Sequence, residues 1–170
     1  YEVKDGDGDT AQGHLWVNVD DDSPTAGGST TVWLDDEDLT DGIPGGTNDQ
    51  ANTPTNAAGT LNHDFGADSS GASISWLATS VVHGGLSGFT FDPSTDGSTL
   101  WVSQDGVLVF TATVDQTTGQ YSIEQNGVIK HPDGQAENEV TFQLKYEVKD
   151  GDGDTAQGHL WVNVDDDSPT

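Results

Sequence analysis

Carboxylates at alternate positions, with glycines between them, form the most distinctive chemical pattern in this sequence. They occur in DGDGDT as Asp150, Asp152 and Asp154. A glycine-rich turn can direct several oxygens toward one point, and Ca²⁺ prefers about six to eight hard oxygen ligands. The pattern predicts a calcium-binding turn, and its alternative is a plain Asp-Gly hairpin turn. An EF-hand is excluded because Trp161 occupies the twelfth position, where that loop requires a bidentate glutamate.

The turn occurs twice, because Tyr1–Thr25 recurs letter for letter as Tyr146–Thr170. The first copy therefore carries the same candidate ligands as Asp5, Asp7 and Asp9. An offset of 145 residues is far longer than a solenoid unit and matches the size of a whole domain. We predict a fragment of a tandem array in which neighbouring identical repeats of the same chain are the partners.

The repeat also predicts the domain organisation. The expected parts are a terminal hairpin copied from the preceding repeat (1–19), an inter-module linker (20–28), a complete module (29–165) and the start of the next linker (166–170).

Further groups of acidic residues are candidate metal ligands. They are Asp165, Asp166 and Asp167 with their copies Asp20, Asp21 and Asp22; Asp35, Asp36, Glu37 and Asp38; Asp64 and Asp68; and Asp133 and Glu137. The alternative for the triplets is a solvated acidic linker. For the group that begins at Asp35 it is a solvated helix start, and for the last two pairs it is ordinary turn chemistry.

Composition restricts the partners and the cofactor. The formal net charge is -26, from 30 acidic residues against four lysines, which excludes nucleic acid and disfavours anionic membranes. Charge of this size opposes compaction by self-repulsion, so the folded state needs salt or bound cations. Cysteine is absent, and disulfides therefore cannot supply stability. Calcium is the expected cofactor.

Short alternating segments separated by Gly, Asp, Asn and Thr predict an all-β fold without helices. We expect an Ig-like or cadherin-like antiparallel β-sandwich with Greek-key connections and about seven to nine strands. The predicted strands are Thr60–Phe65, Ser73–Leu77, Gly88–Phe91, Leu100–Ser103, Val107–Val114, Tyr121–Gln125, Phe142–Val148 and Leu160–Val164. The last two form the strongest hairpin, and Asp41–Ala58 is expected to be a long loop.

Strand length separates the two acidic motifs of the repeat. The strand from Gln157 to Val164 spans roughly 25 Å, which places the DGDGDT turn and the triplet that begins at Asp165 at opposite poles. In an array, each turn would meet the triplet of the incoming linker. We hypothesise that calcium held between them locks the joint.

Other functions receive less support. The five histidines are scattered, so a zinc or copper site is not expected. No motif such as G-x-S-x-G singles out a nucleophile, and we predict neither catalysis nor a small-molecule substrate. The alternative is a carbohydrate-binding module with Trp33, Trp76 or Trp101 as the sugar platform. Their apolar context favours core packing.

Four blocks carry a family likeness. VWLDDEDLTDGI, GTLNHDFGAD, IKHPDGQAEN and the closing repeat follow one another in order and resemble the long tandem repeat of RTX adhesins that Gram-negative bacteria secrete through a type I system. The likeness covers nearly all of Val32 to Thr170. It implies a calcium-loaded extender that projects distal ligand-binding domains at the bacterial surface in biofilm formation or cell adhesion. Such a module is extracellular and does not insert into the membrane.

Overall fold

The structure is a computed structural model that describes residues 1–28, 30–40, 42–43, 56–131 and 139–165. Its regular elements are strands and one short 3-10 helix at Asp36–Asp38. The strands are β1 (Glu2–Lys4), β2 (Thr10–Gln12), β3 (Thr25–Ala26), β4 (Thr31–Asp35), β5 (Asn56–Thr60), β6 (His63–Asp64), β7 (Ser73–Trp76), β8 (Val81–His83), β9 (Phe89–Pro93), β10 (Thr99–Gln104), β11 (Val107–Val114), β12 (Gln120–Gln125), β13 (Val140–Lys149) and β14 (Thr155–Asp165). Among these residues no helix is long and apolar enough to cross a membrane.

Two five-stranded sheets enclose the core. Sheet I has the order β5-β12-β11-β10-β9, and sheet II has the order β4-β14-β13-β7 with β8 also paired to β13. Strand β5 returns to pair with β12, so neighbours in space are not neighbours in sequence, as in Greek-key connections. The predicted all-β sandwich is confirmed.

Alternate residues of the strands fill the space between the sheets. Phe142 of β13 contacts Phe110 and Phe89 in edge-to-face arrangements with ring centroids 5.0 and 5.1 Å apart, the geometry that aromatic quadrupoles favour. Trp76 is also buried, as predicted. The core position predicted for Trp101 is wrong, because this residue is 43% exposed. Leu100 and Val102 on either side of it point inward, so alternation along β10 directs Trp101 outward.

The predicted hairpin of β13 and β14 is the longest pairing in the structure. Its register runs from Val140↔Val164 to Lys149↔Thr155. Core-facing and outward residues alternate along all of β13, and the DGDGDT turn connects the two strands. The sheet therefore fixes the position of this turn at one end of the sandwich.

Three features differ from the predicted antiparallel arrangement. Strand β4 runs parallel to β14, because the linker delivers the chain to the end where β14 also begins. Strand β5 extends into the segment predicted as a loop, the remainder of which is described only at Gly42 and Ile43. Its sequence NAAGT has low β-propensity, which hid it from pattern analysis. Strand β8 was not predicted either.

The two copies of the repeated segment have different environments. In the second copy, Leu160 and Val162 are at most 1% exposed, whereas their counterparts Leu15 and Val17 are 80% and 72% exposed. Residues 1–19 of the first copy form only the isolated hairpin of β1 and β2. Identical residues are therefore core in one copy and surface in the other.

This duplication provides an internal control for stability. We expect Leu160→Ala to lower the free energy of unfolding by about 3 kcal/mol, because it leaves a cavity between the sheets. Leu15→Ala is expected to change it by less than about 0.5 kcal/mol. Urea unfolding followed by circular dichroism measures both values, and equal losses would contradict the burial difference.

Candidate metal site

The linker is fixed to one end of the sandwich. We call this end the joint pole and define it by residues 20–23, 64–68 and 150–154. Strand β3 pairs with β6, and the Gly27 N–H donates to the Asn62 carbonyl at 2.9 Å. The hydroxyl of Tyr146 from β13 donates to the same carbonyl at 2.8 Å. The later part of the predicted linker is thus bonded to the module.

Asp22 and Asp64 shape the loop on which the linker lies. Asp22 Oδ2 accepts from the Ala67 N–H at 2.8 Å, and Asp64 Oδ1 accepts from the Gly66 N–H at 2.9 Å. Gly66 has a φ of 70°, and a Cβ there would lie 2.5 Å from Asp22 Oδ2. Glycine is required at this position by both backbone conformation and space.

The DGDGDT turn is organised around Asp150. Its Oδ1 accepts from the N–H groups of Gly153 and Asp154 at 2.9 and 2.8 Å. Asp150 is 1% exposed, and no donor among the described residues reaches its buried Oδ2. A buried carboxylate oxygen without a hydrogen bond is costly. A bound cation is one way to satisfy it.

The turn packs tightly against the loop that carries Asp68. The Gly151 N–H donates to the Asp68 carbonyl at 2.6 Å. A Cβ on Gly151 would lie 2.3 Å from the Ser70 carbonyl oxygen, so only glycine allows this approach. The contact holds the side chains of the loop beside those of the turn.

Two overlapping carboxylate groups result at the joint pole. Asp150, Asp152 and Asp154 form one, and Asp21, Asp68 and Asp152 form the other. In each group one carboxylate oxygen per residue lies within 4.8 Å of the others. The Ser23 hydroxyl of the linker also donates to Asp154 Oδ2 at 3.4 Å. Three segments thus supply oxygen ligands to one place, and an oxygen-only set suits Ca²⁺.

Mutual repulsion appears in the pKa values of the turn. The pKa of Asp152 is raised to about 6, chiefly by the hydrogen bond with Asp150 and also by burial and by the charges of Asp150 and Asp21, while the Asp154 N–H lowers it in part. Burial alone would raise the pKa of Asp150, but hydrogen bonds from Gly153, Asp152 and Asp154 outweigh it and leave that pKa lowered. Such opposite shifts are expected when adjacent carboxylates cannot all ionise.

The opposite end of the sandwich, which we call the far pole, carries a different acidic group. Asp35 caps the 3-10 helix by accepting from the Glu37 N–H at 2.9 Å, and it is the register partner of the buried Asp165. Asp38 is exposed. The 3-10 helix supplies the short turn that convergence of these residues requires, and Asp35, Asp36 and Asp165 are all buried at this end of the sandwich.

Asp36 is buried and accepts hydrogen bonds from groups of the protein. Its oxygens accept from Gln125 Nε2 and from the Ile129 N–H, the latter at 2.8 Å, and His131 Nε2 lies 3.4 Å from Oδ2. Burial raises the pKa of Asp36, and hydrogen bonds to these groups only partly offset the rise. Sequence analysis missed this network, because its members are distant in sequence and no pattern marks Gln125.

The remaining predicted ligands fall into three sets. Asp5, Asp7 and Asp9 form their own carboxylate group in the first copy, without the linker contacts. Asp20 is exposed and belongs to no carboxylate group among the described residues. Four predicted ligands lie outside the described residues: Asp133, Glu137, Asp166 and Asp167.

The contribution of the hydrogen bonds between Asp36, Gln125 and Ile129 can be measured by comparison with Asp38, an exposed residue of the same 3-10 helix. Asp36→Ala leaves the Gln125 and Ile129 donors buried without an acceptor, and we expect a loss of about 3 kcal/mol in the free energy of unfolding. Asp38→Ala changes an exposed residue of the same helix, and its expected effect is below about 0.5 kcal/mol. Guanidinium unfolding compares them, and a similar effect of both would show that the network is not stabilising.

The raised pKa of Asp152 predicts a pH dependence in the presence of chelator. Protonated Asp152 is favoured by the folded state. The stability that this contributes is fully present below pH 3.8, the ordinary pKa of the group, and is lost as the pH rises through about 6. Asp152→Asn removes this loss, so its melting temperature should exceed that of the wild type increasingly between pH 4 and 7. Asp7→Asn, the same change in the first copy, serves as control. Parallel profiles for wild type and Asp152→Asn would refute the assignment.

Comparison with known proteins gives one match. Searches of curated proteins and of solved structures each found no match. Residues 31–163 match a family described as "Domain of unknown function (DUF5801)". The match begins at the first residue of β4 and ends within β14, so it spans both sheets of the sandwich. The chain therefore belongs to the DUF5801 family.

Proposed function

We propose that this chain is a calcium-stabilised extender module of a large tandem-repeat bacterial surface adhesin. In this role it is extracellular, catalyses no reaction and holds distal ligand-binding domains away from the cell. One observation carries the proposal: Asp21 of the incoming linker, Asp68 of a surface loop and Asp152 of the repeated turn bring carboxylate oxygens within 4.8 Å of one another. A cation at this place joins the linker to the module.

The donor chemistry supports calcium as that cation. The carboxylate oxygens are hard ligands, which favour Ca²⁺ or Mg²⁺ over the softer transition metals. A site assembled from several carboxylates on a flexible turn and a linker suits the variable coordination of Ca²⁺ better than the strict octahedron of Mg²⁺. Asp150 Oδ2, buried without a donor among the described residues, and the raised pKa of Asp152 both indicate an arrangement that positive charge would stabilise.

The position of the joint pole supports the extender role. The linker enters beside the turn that precedes β14, and β14 leaves at the far pole. Each repeat therefore joins its neighbours end to end. Because the repeated segment carries both a turn and a linker, every junction in an array has the same turn and linker carboxylates. Calcium at each junction restricts bending at that place, and neighbouring repeats of the same chain are the partners.

Calcium should raise the free energy of unfolding of the module by an amount that depends on the ratio of its concentration to Kd. At a concentration about a hundred times Kd, ligand binding contributes about 2.7 kcal/mol, which corresponds to a rise of about 10 °C in melting temperature. We expect Asp152→Asn to abolish most of this rise and Asp7→Asn to leave it intact, because only Asp152 meets the linker. Differential scanning calorimetry with calcium or chelator measures the effect.

An unchanged melting curve in calcium would refute calcium stabilisation. The extender role has its own test, small-angle scattering of a protein with two complete modules. With calcium, the maximum dimension of this protein should increase and its distribution of interatomic distances should narrow. Asp21→Asn at the junction should weaken both changes. A shape that is the same with calcium and with chelator would contradict a locked joint even if calcium raised the melting temperature.

A further inference from the structure

Sheet I carries an exposed tryptophan on its outer face. Trp101 lies on β10, which has β9 on one side and β11 on the other, and 43% of its surface is exposed. Single exposed apolar residues are common on protein surfaces. Trp101 differs from a chance exposure in the residues that the sheet register places beside it.

Polar side chains continue from Trp101 in one row across the sheet. Its register partners are Asp92 on β9 and Thr111 on β11, and Thr111 in turn pairs with Glu124 on β12. Neighbouring strands lie about 4.8 Å apart, so Asp92 is one strand away from Trp101 on one side and Glu124 is two strands away on the other. Asp92 and Glu124 are exposed, and neither has a hydrogen-bond or ion-pair partner among the described residues. Both can accept hydrogen bonds from a ligand.

Hydroxyl groups beside the row are held in fixed positions. Thr111 Oγ1 donates to Asn126 Oδ1 at 2.7 Å, and the hydroxyls of Thr113 and Ser122 are hydrogen-bonded at 2.8 Å. Side chains held in this way lose little conformational freedom when a ligand binds. The outer face thus combines one apolar ring with a rigid set of oxygens.

The charge and shape of this face define the ligand class. The chain has a net charge of -26, and the two carboxylates of the row repel anionic polymers in addition. The described residues enclose no pocket, whereas compact small ligands generally occupy concave sites. A protein partner would require a larger apolar core with few charges. An extended ligand that is neutral and rich in hydroxyl donors fits both the ring and the acceptors.

Sheet II has no tryptophan as exposed as Trp101, because Trp33 and Trp161 are half-buried and Trp76 is buried. Trp161 on its outer face is half-buried between the rings of His83 and His159, with ring centroids 5.3 Å away in each case. Lys145, the register partner of His159, lies on the same side. The more exposed indole ring, that of Trp101, and the carboxylates of Asp92 and Glu124 therefore all belong to sheet I.

We propose that the outer face of sheet I binds a neutral polysaccharide chain. A pyranose ring stacks on Trp101, and its hydroxyl groups donate to Asp92 on one side and to Glu124 on the other. The site is separate from the joint pole and does not depend on calcium binding there. It would allow the module to contact neutral glycans along its side.

The test uses the full chain, titrated with cellohexaose, maltohexaose and mannohexaose, and with trigalacturonate as the anionic comparison. Binding is followed by ¹H–¹⁵N spectra, in which the indole signal of Trp101 is identified by its loss in Trp101→Ala. We expect at least one neutral hexasaccharide to shift this signal and the amides of β9 to β12, and trigalacturonate to shift neither. The control Trp16→Ala removes an 88% exposed tryptophan outside the sandwich and should leave binding unchanged.

Variants of the row separate binding from folding. Trp101→Ala should raise Kd at least tenfold, while Asp92→Asn and Glu124→Gln, which keep side-chain shape, should raise it several-fold without changing the melting temperature. The proposal is overturned if none of the three neutral hexasaccharides shifts these signals at about 10 mM, a concentration that would reveal millimolar binding. It is also overturned if Asp92→Asn and Glu124→Gln both bind as the wild type does, or if the shifts map outside sheet I.

Discussion

The pairing of β14 with two neighbours holds this fold together. β14 pairs with β13 from Thr155 to Val164 and with β4 from Trp161 to Asp165, so the first strand of the module is connected to its last. Leu160, Val162 and Val164 of β14 then reach the core and are at most 1% exposed. The first copy shows that the sequence alone does not produce this arrangement. Without the β13 and β4 partners, the same residues remain at the surface, so the hydrophobic residues of the segment depend on neighbouring strands for their burial.

Electrostatic repulsion limits where the acidic residues can lie. Among the described residues of the sandwich, the core is apolar apart from a few buried polar residues, and most carboxylates lie at the two poles or at exposed positions. The chain has few cations to balance them, and Lys130 with Asp105 is the one lysine ion pair among the described residues. The carboxylates at the two poles have different surroundings. At the far pole, Asp36 accepts hydrogen bonds from Gln125 and Ile129, whereas the joint pole assembles carboxylates from three segments and leaves Asp150 Oδ2 without a donor among the described residues.

Sequence periodicity predicts the features of the fold that depend on alternation along a single strand. The β13–β14 hairpin follows from its alternating apolar residues, and the same rule applied to Leu100 and Val102 would have placed Trp101 outside. Periodicity does not identify neighbouring strands, so the parallel pairing of β4 was missed. The meeting of Asp21 with Asp152 was anticipated from strand length, but the contribution of Asp68 depends on a glycine-mediated contact between a loop and the turn. The environment of Asp36 depends on Gln125 and Ile129, which are 89 and 93 residues away in sequence.

The parallel pairing of β4 and β14 determines how the module responds to mechanical force. The chain enters β4 from the joint pole and leaves β14 at the far pole, so tension along the chain pulls these adjacent strands in opposite directions along their length. Five register pairs, from Trp161↔Thr31 to Asp165↔Asp35, are then loaded in shear together. A hairpin pulled at its open end would instead separate one pair at a time. The direction of one short strand thereby decides that tension along the chain loads this strand pair in shear.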